Sequence, residues 1–380
     1  MKPPRVTVLM AAFNAARFLR ESVESILAQT FHDFEFVIVD DGSTDDTAEI
    51  ARSFHDERIV LLRNERNLGL TASLNRGLRA SRGEWIARQD ADDISDPVRL
   101  AGEVDFFSNH PDTVLVGTHA RLIDTEGRAL GELRVPVDPL GIRWAQMFDN
   151  GFIHSAVMFR RAVALDGFGG YDESFRISQD YALWSRMMRR HPVANLDETL
   201  LSLRVHPSSL MRGSRAETDD ESRRVIEENI RATVGDPGDM GRALALIAQF
   251  RWCVGPEGLE KFHALFAKLL ARFEEAHPEA KTGTAFRRVI AEQFARIGYN
   301  LLPEHRVAAF GEFDRALRED ARTFFRLPWP RILALTLLGA QARSIYMCFQ
   351  NARVIPSAAK PAPAGFAESR NPASDAERNS

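Results

Sequence analysis

Three acidic groups in this chain sit where side chains of their type could do chemistry. The first is Asp40-Asp41-Gly42-Ser43-Thr44-Asp45, directly after the apolar run Phe34 to Val39. A carboxylate there can accept a hydrogen bond from a base N–H or a ribose hydroxyl, and Gly42 lets the backbone turn sharply towards a ligand. Asp41 or Ser43 can equally cap the helix that follows. The second is Asp90-Ala91-Asp92-Asp93, after Trp85 to Ala87. Alternate carboxylates ending a strand can share a divalent ion, which takes oxygen ligands and bridges phosphate oxygens. Such an ion neutralises charge on a departing diphosphate. The competing reading is a solvated acidic turn, with Arg88 and Arg99 offsetting aspartates that otherwise repel one another. The third is Asp180 in Gln179-Asp180-Tyr181, opening a helical pattern. A helix N-terminus favours the ionised carboxylate. Asp180 is therefore a candidate general base for an acceptor hydroxyl, with an N-cap as the plainer role.

Two further segments carry polar groups of use. In Arg204-Val205-His206, arginine can fork onto phosphate oxygens and histidine can bind phosphate or metal. Taken alone, His206 is an ordinary surface histidine. Asn67-Leu68-Gly69-Leu70 leads into a helix start where Ser73 and Asn75 either bond locally or line a nucleotide pocket.

The elements that must position these residues alternate. Val6 to Met10 reads as a strand, and Leu19, Val23, Ile26 and Leu27 recur at helical spacing. Phe34 to Val39 is apolar on both faces, as in a buried parallel strand. A polar helix over about 45–54, a strand over 59–62, a helix over 70–80 and a strand over 85–87 follow. Asp96-Pro97 has the form of an N-cap with proline in the first turn. This order predicts a doubly wound, mainly parallel sheet, Rossmann-like and flanked by helices. Ligands bind such sheets outside the carboxyl ends of the strands, where both aspartate groups fall. The stretch from about 113 to 206 is mixed, with strands near 114–116 and 155–159 and a helix over 180–190. From 216 to 355 the pattern is helical, and its phenylalanines (Phe266, Phe273, Phe286, Phe294 and Phe313 among them) read as core. Residues 356–380, rich in Ala, Pro, Ser, Asn and charge, read as a disordered tail. The expected organisation is thus 1–215, 216–355 and 356–380.

Composition narrows the class. The 380 residues are 44% hydrophobic and 27% charged with a formal net charge of -4, so no basic field points to nucleic acid. The two cysteines, Cys253 and Cys348, form no CxxC pair, and a reducing, cytoplasmic setting fits them. The first residues do not form a signal peptide. Ile332 to Ala340 is too short to span a bilayer and reads as a packed core helix, with an in-plane membrane helix as the alternative. No GxxxxGK[ST], HExxH, GxSxG or GxGxxG motif occurs where its chemistry would need it.

Together these pieces resemble the family 2 glycosyltransferases. The match runs from Val6 to about Ser209 and includes Ser25-Ile26-Leu27-Ala28-Gln29-Thr30, His154 to Arg160 and Gly169-Gly170-Tyr171-Asp172. The resemblance implies the GT-A fold and an inverting transfer of sugar from a nucleotide-diphosphate donor, UDP by default. The acceptor would be a hydroxyl on a carbohydrate, a lipid-linked glycan or another molecule. By resemblance Asp40 contacts the base with Asp41 beside it, Asp90 holds the nucleotide, and Asp92 ligates Mn2+ or Mg2+ with His206 as a further ligand. Asp180 is the base, and Arg204 and His206 close over the diphosphate. Ala11, Phe13, Asn67, Ser73, Arg88 and Ala91 complete the implied donor pocket. Gln179 stands where the family often has glutamate. The region after about 216 is outside the resemblance, and acceptor binding, dimerisation and contact with the inner face of a membrane all stay open for it. A sugar nucleotidyltransferase would need a glycine-rich, basic loop where Ala11-Ala12-Phe13-Asn14 stands. A non-catalytic scaffold would not need Asp92 and Asp180.

Overall fold

A computed structural model describes residues 3–206, 215–235, 256–301, 306–320 and 354–355. The readings made for Cys253, Cys348, Ile332 to Ala340 and the tail lie outside these residues. The first half alternates as the sequence predicts: β1 (Val6–Ala12), α1 (Ala16–Leu27), β2 (Phe34–Asp40), α2 (Thr47–Arg52), β3 (Ile59–Arg63), α3 (Leu70–Ala80), β4 (Trp85–Arg88). Then come β5 (Ile94–Ser95), α4 (Arg99–Asn109), β6 (Leu115–Ile123), β7 (Ala129–Leu133), α5 (Pro139–Gln146), β8 (Val157–Arg160), α6 (Gln179–Met188) and β9 (Val193–Arg204). Among the described residues four α-helices follow: α7 (Arg215–Val234), α8 (Pro256–Ala276), α9 (Thr284–Leu301) and α10 (Arg306–Glu319). A short β10 (Val354–Ile355) pairs with β7.

Strands run β3-β2-β1-β4 in parallel, and the order reverses direction at β4. There β8 pairs antiparallel with β4, and β6 pairs antiparallel with β8. The sheet is therefore parallel over its first four strands and mixed beyond them. The crevice between the ends of β1 and β4 is the switch point at which such sheets take ligands.

Strand alternation divides the core. Val6, Val8 and Met10 of β1 pack with Leu19, Val23 and Ile26 of α1 and with Leu100, Val104 and Phe107 of α4. Leu9 points the other way, towards Leu74 and Leu78 of α3 and Leu183, Trp184 and Met187 of α6. A third apolar cluster joins Trp144 of α5 and Tyr181 of α6 to Val225, Ile226 and Ile230 of α7 and to Phe266, Phe273, Phe286 and Phe313. Phe266, Phe273, Phe286, Phe294 and Phe313 of the C-terminal helices are thus core, as their spacing predicts.

Two local expectations are corrected. The helix after Asp96-Pro97 begins at Arg99, and Asp96 is not its cap. The Asp96 carboxylate instead accepts from the Val98 N–H at 3.1 Å, a local turn that delays the helix. The strand expected from Ser155 begins at Val157, because 154–156 form a tight turn.

Candidate active site

The acidic ends of β2 and β4 lie on the same edge of the sheet, on either side of β1, and the start of α6 is close enough for Asp180 to feel the Asp90 charge. Arg88, the last residue of β4, is completely buried. Its guanidinium donates to the Leu9 carbonyl of β1 (3.3 Å), to the Gln89 carbonyl, to an Asp90 carboxylate oxygen and to His154 Nε2 (3.2 Å). Burial opposes ionisation of Asp90, but the Arg88 cation overrides it and holds the carboxyl below its ordinary value. His154 accepts from Arg88 through Nε2, so Nδ1 carries the ring hydrogen. Burial, and then the Arg88 charge, push its pKa down to about 3, so it stays neutral.

The two carboxylates after Asp90 have separate fates. Asp92 is partly open, and its Oδ2 lies 2.7 Å from His206 Nε2. Asp93 is buried, accepting from the Arg204 N–H at 2.8 Å and from the Ser155 hydroxyl. Burial, then the charges of Asp92 and Asp90, raise its pKa well above the usual carboxylate range.

Asp180 begins α6 and is nine-tenths buried. Its carboxylate accepts from Asn150 Nδ2 at 2.8 Å and from the Tyr181 N–H at 2.7 Å. Burial raises its pKa to about 6, helped by the charge of Asp90 and moderated by those hydrogen bonds. Tyr171 lies in the same electrostatic neighbourhood, its hydroxyl raised by burial and by Asp180 and Asp90 against the pull of Arg88. That hydroxyl and Gln179 Oε1 are buried without a hydrogen-bond partner among the described residues.

Several residues expected in the donor pocket make hydrogen bonds within the protein. Ser73 is fully buried and accepts from Asn64 Nδ2 at 2.8 Å. Asn75 is likewise spent on Tyr171, donating to its carbonyl and accepting from its N–H. Asp41 is filled by Asn64 Nδ2 (2.6 Å) and the N–H groups of Leu68 (2.8 Å) and Gly69 (2.9 Å). It therefore builds the 64–69 loop. Asn67 is exposed and folds back to accept from the Gly69 N–H. Arg88 braces Asp90 from below. Arg204 is buried, donating to the carbonyls of Asp92 (2.9 Å) and Asp124 (3.0 Å) and to the Glu21 carboxylate, with its cation over the Phe18 ring. It fastens the β4 loop to α1. Asp40 is buried, accepting from the Ser43 N–H at 3.0 Å through one oxygen. Its Oδ2 lies 3.1 Å from Arg63 Nε as an ion pair without hydrogen-bond alignment. Ala11 is half-buried, Phe13 is 46% exposed, and Ala91 is buried.

Sequence reasoning gave no role to Asn150, His154 or Tyr171. His154 and Tyr171 lay inside recognised segments, but nothing in the residue order showed that they meet Arg88 and Asp180.

The comparisons show the family and the fold. A sequence profile of Glycosyl transferase family 2 matches residues 7–168. EpsE of Bacillus subtilis (strain 168), named as a glycosyltransferase, is 35% identical over 56% of this chain and 77% of its own length. The chain belongs to glycosyl transferase family 2. The O-antigen biosynthesis glycosyltransferase WbnJ of Escherichia coli is 34% identical to this family member, over 56% of this chain and 84% of its own. The structure of S. aureus TarS 1–349 in complex with UDP superposes with a TM-score of 0.51 at 17% identity, covering 84% of this chain and 91% of that one. The family 2 protein therefore has the GT-A fold with a helical C-terminal region and is a glycosyltransferase.

Proposed function

We propose that this glycosyltransferase carries out an inverting transfer of a sugar from a nucleoside diphosphate, UDP as first choice, to a hydroxyl acceptor in glycan or polysaccharide synthesis. The observation that carries the reading is Asp180: one buried carboxylate, its pKa raised to about 6, held at a helix start within reach of the Asp90 charge. A base of that strength is ionised at neutral pH and still takes a proton as an oxygen nucleophile forms. The acceptor hydroxyl gives its proton to Asp180, its oxygen bonds to the anomeric carbon, and the diphosphate leaves with the electron pair of the broken bond. A single displacement of this kind inverts the carbon.

The remaining residues divide the donor between them. Asp40 Oδ2, lacking an aligned donor, is the acceptor for a base N–H once the half-exposed Arg63 swings aside. Asp90, ionised by Arg88, takes a donor hydroxyl. Asp92 and His206 suit a hard divalent cation, Mn2+ or Mg2+, that draws its other ligands from water and phosphate. Among the described residues no cluster of three or more ligating side chains exists, so these residues would supply only part of the shell. Such an ion, when bound, stabilises the charge of the departing diphosphate. UDP as first choice is supported by its presence in the S. aureus TarS complex, and the glycan role by the O-antigen function in the name of WbnJ. No helix among the described residues is long and apolar enough to cross a membrane. A cytoplasmic setting, at the inner membrane face where the acceptor is lipid-linked, completes the proposal.

Calorimetry with UDP-, GDP- and dTDP-sugars, with Mn2+ and then with chelator, tests the donor. Asp180→Asn is expected to lower turnover by about 10²–10⁴-fold with UDP affinity kept, and Asp92→Ala to abolish the metal dependence of UDP binding. Full turnover in Asp180→Asn removes the base, and absence of binding by any nucleotide sugar favours a scaffold that lacks the chemistry.

A further inference from the structure

We infer that Glu221, in the first helix after the sheet, is a positioning residue for the catalytic base, an assignment that rests on Asp180 acting as that base. Its carboxylate accepts from three consecutive backbone N–H groups: Arg176 at 2.8 Å, Ile177 at 2.9 Å and Ser178 at 2.8 Å. These three residues are the chain's last steps before α6, which opens at Gln179-Asp180.

Backbone donors just ahead of a helix have no intrahelical partner and must be met from outside. The described structure meets them with one side chain 45 to 43 residues further on, itself 6% exposed. A buried carboxylate is costly unless several hydrogen bonds compensate it, and three N–H groups with the positive end of α6 behind them do so. The charge also makes each bond stronger than a neutral one.

The grip on α6 is two-ended. Glu221, Val225 and Asn229 lie at successive four-residue steps on one face of α7. Asn229 donates to the Gln146 carbonyl (2.7 Å) and Ser185 Oγ (2.9 Å) and accepts from Arg189 Nη1 (2.9 Å), at the far end of α6. Ser222 meets Ser178 hydroxyl to hydroxyl at 3.1 Å. From the opposite side, Thr71 of α3 donates to the Phe175 carbonyl at 2.7 Å, and Asn75 brackets Tyr171. Segment 171–178 is thus held between the donor-binding half of the sheet and the C-terminal helices. Its last residues set where the Asp180 carboxylate stands relative to the anomeric carbon. A misplacement near 1 Å at such a point costs on the order of 10²-fold in rate.

The test uses the full-length protein and hydrolysis of the UDP-sugar that binds best in calorimetry, with water as acceptor. Glu221→Gln is close to isosteric but offers one acceptor oxygen and turns an NH2 towards the backbone donors. It is expected to lower turnover by about 10- to 100-fold, to leave UDP affinity and donor KM unchanged, and to speed hydrogen exchange at 176–182. Wild-type turnover in a folded Glu221→Gln, or UDP affinity falling in step with turnover, overturns the inference. Should that variant fail to fold, Glu221→Asp, which keeps the charge one methylene further back, is read by the same two measurements. Asp180→Asn run alongside separates the two ideas. Full turnover there removes the base whatever Glu221 does. Loss there, with full turnover in Glu221→Gln, removes only the positioning role.

Discussion

Asp180 is ionised at a cost. Its folded pKa, about 6, is above the ordinary 3.8, so its protonated form is the one the fold favours. Stability linked to this group is therefore fully present below about pH 4 and is lost as pH rises through 6. Replacing it by Asn removes that penalty. Asp180→Asn is expected to be more stable than the wild type at pH 8, by on the order of 2–3 kcal/mol, with the difference closing by pH 4. Thermal melts at the two pH values check this, and equal midpoints at both would contradict the raised pKa. Turnover of the wild type, where chemistry limits it, should fall tenfold per pH unit below about 6. The residue types at this site were legible in the sequence: a carboxylate opening a helix, alternate carboxylates closing a strand, a histidine after an arginine. Their directions were not. Arg88, Ser73, Asp41 and Arg204 sit at the expected places but turn inward, because each finds buried carbonyls, carboxylates or amides there that need partners.

At the scale of elements, the parallel half of the sheet was legible because each buried strand is a short apolar run punctuated by polar helices. The mixed half was less so. The twelve-residue strand β9 is only partly buried and mixed in composition, yet it pairs along most of β6. Its identity comes from a partner far away in sequence, which local pattern cannot supply. One loop-to-loop contact gives a sharp test. Gly42 has φ +71°, and a Cβ there would lie 2.5 Å from the carbonyl carbon of Arg66. The turn after β2 and the loop after β3 are therefore fitted backbone to backbone. Gly42→Ala is expected to cost about 2–4 kcal/mol in urea unfolding and to weaken nucleotide-sugar binding, because Asp40 rides on that turn. A loss below 0.5 kcal/mol, the range of neutral surface changes, would show that the two loops separate freely.

Across the whole molecule, the change of pattern near residue 216 marks a change of element type, while the apolar packing continues through it. Trp144 is completely buried, surrounded edge-on by Phe148, Phe266, Phe273 and Phe286, and its Nε1 donates to Gln293 Oε1 at 2.6 Å. Trp144→Ala is expected to lower stability by about 3–5 kcal/mol. Heating the wild type should unfold the sheet and the C-terminal helices in one calorimetric transition. Two well-separated transitions would show that the shared cluster does not couple them.

That cluster also bears on how the family can diversify. A crossover in the coding sequence near residue 215, where the profile of the chain invites one, would sever Trp144, Phe148 and Tyr181 from the helices that cover them. It would also part α6 from Glu221. Exchange of C-terminal regions between relatives should therefore succeed only when α5 and α6 travel with the helices they pack against. The C-terminal unit of inheritance would then begin inside the transferase sheet, well before the point where the helices start.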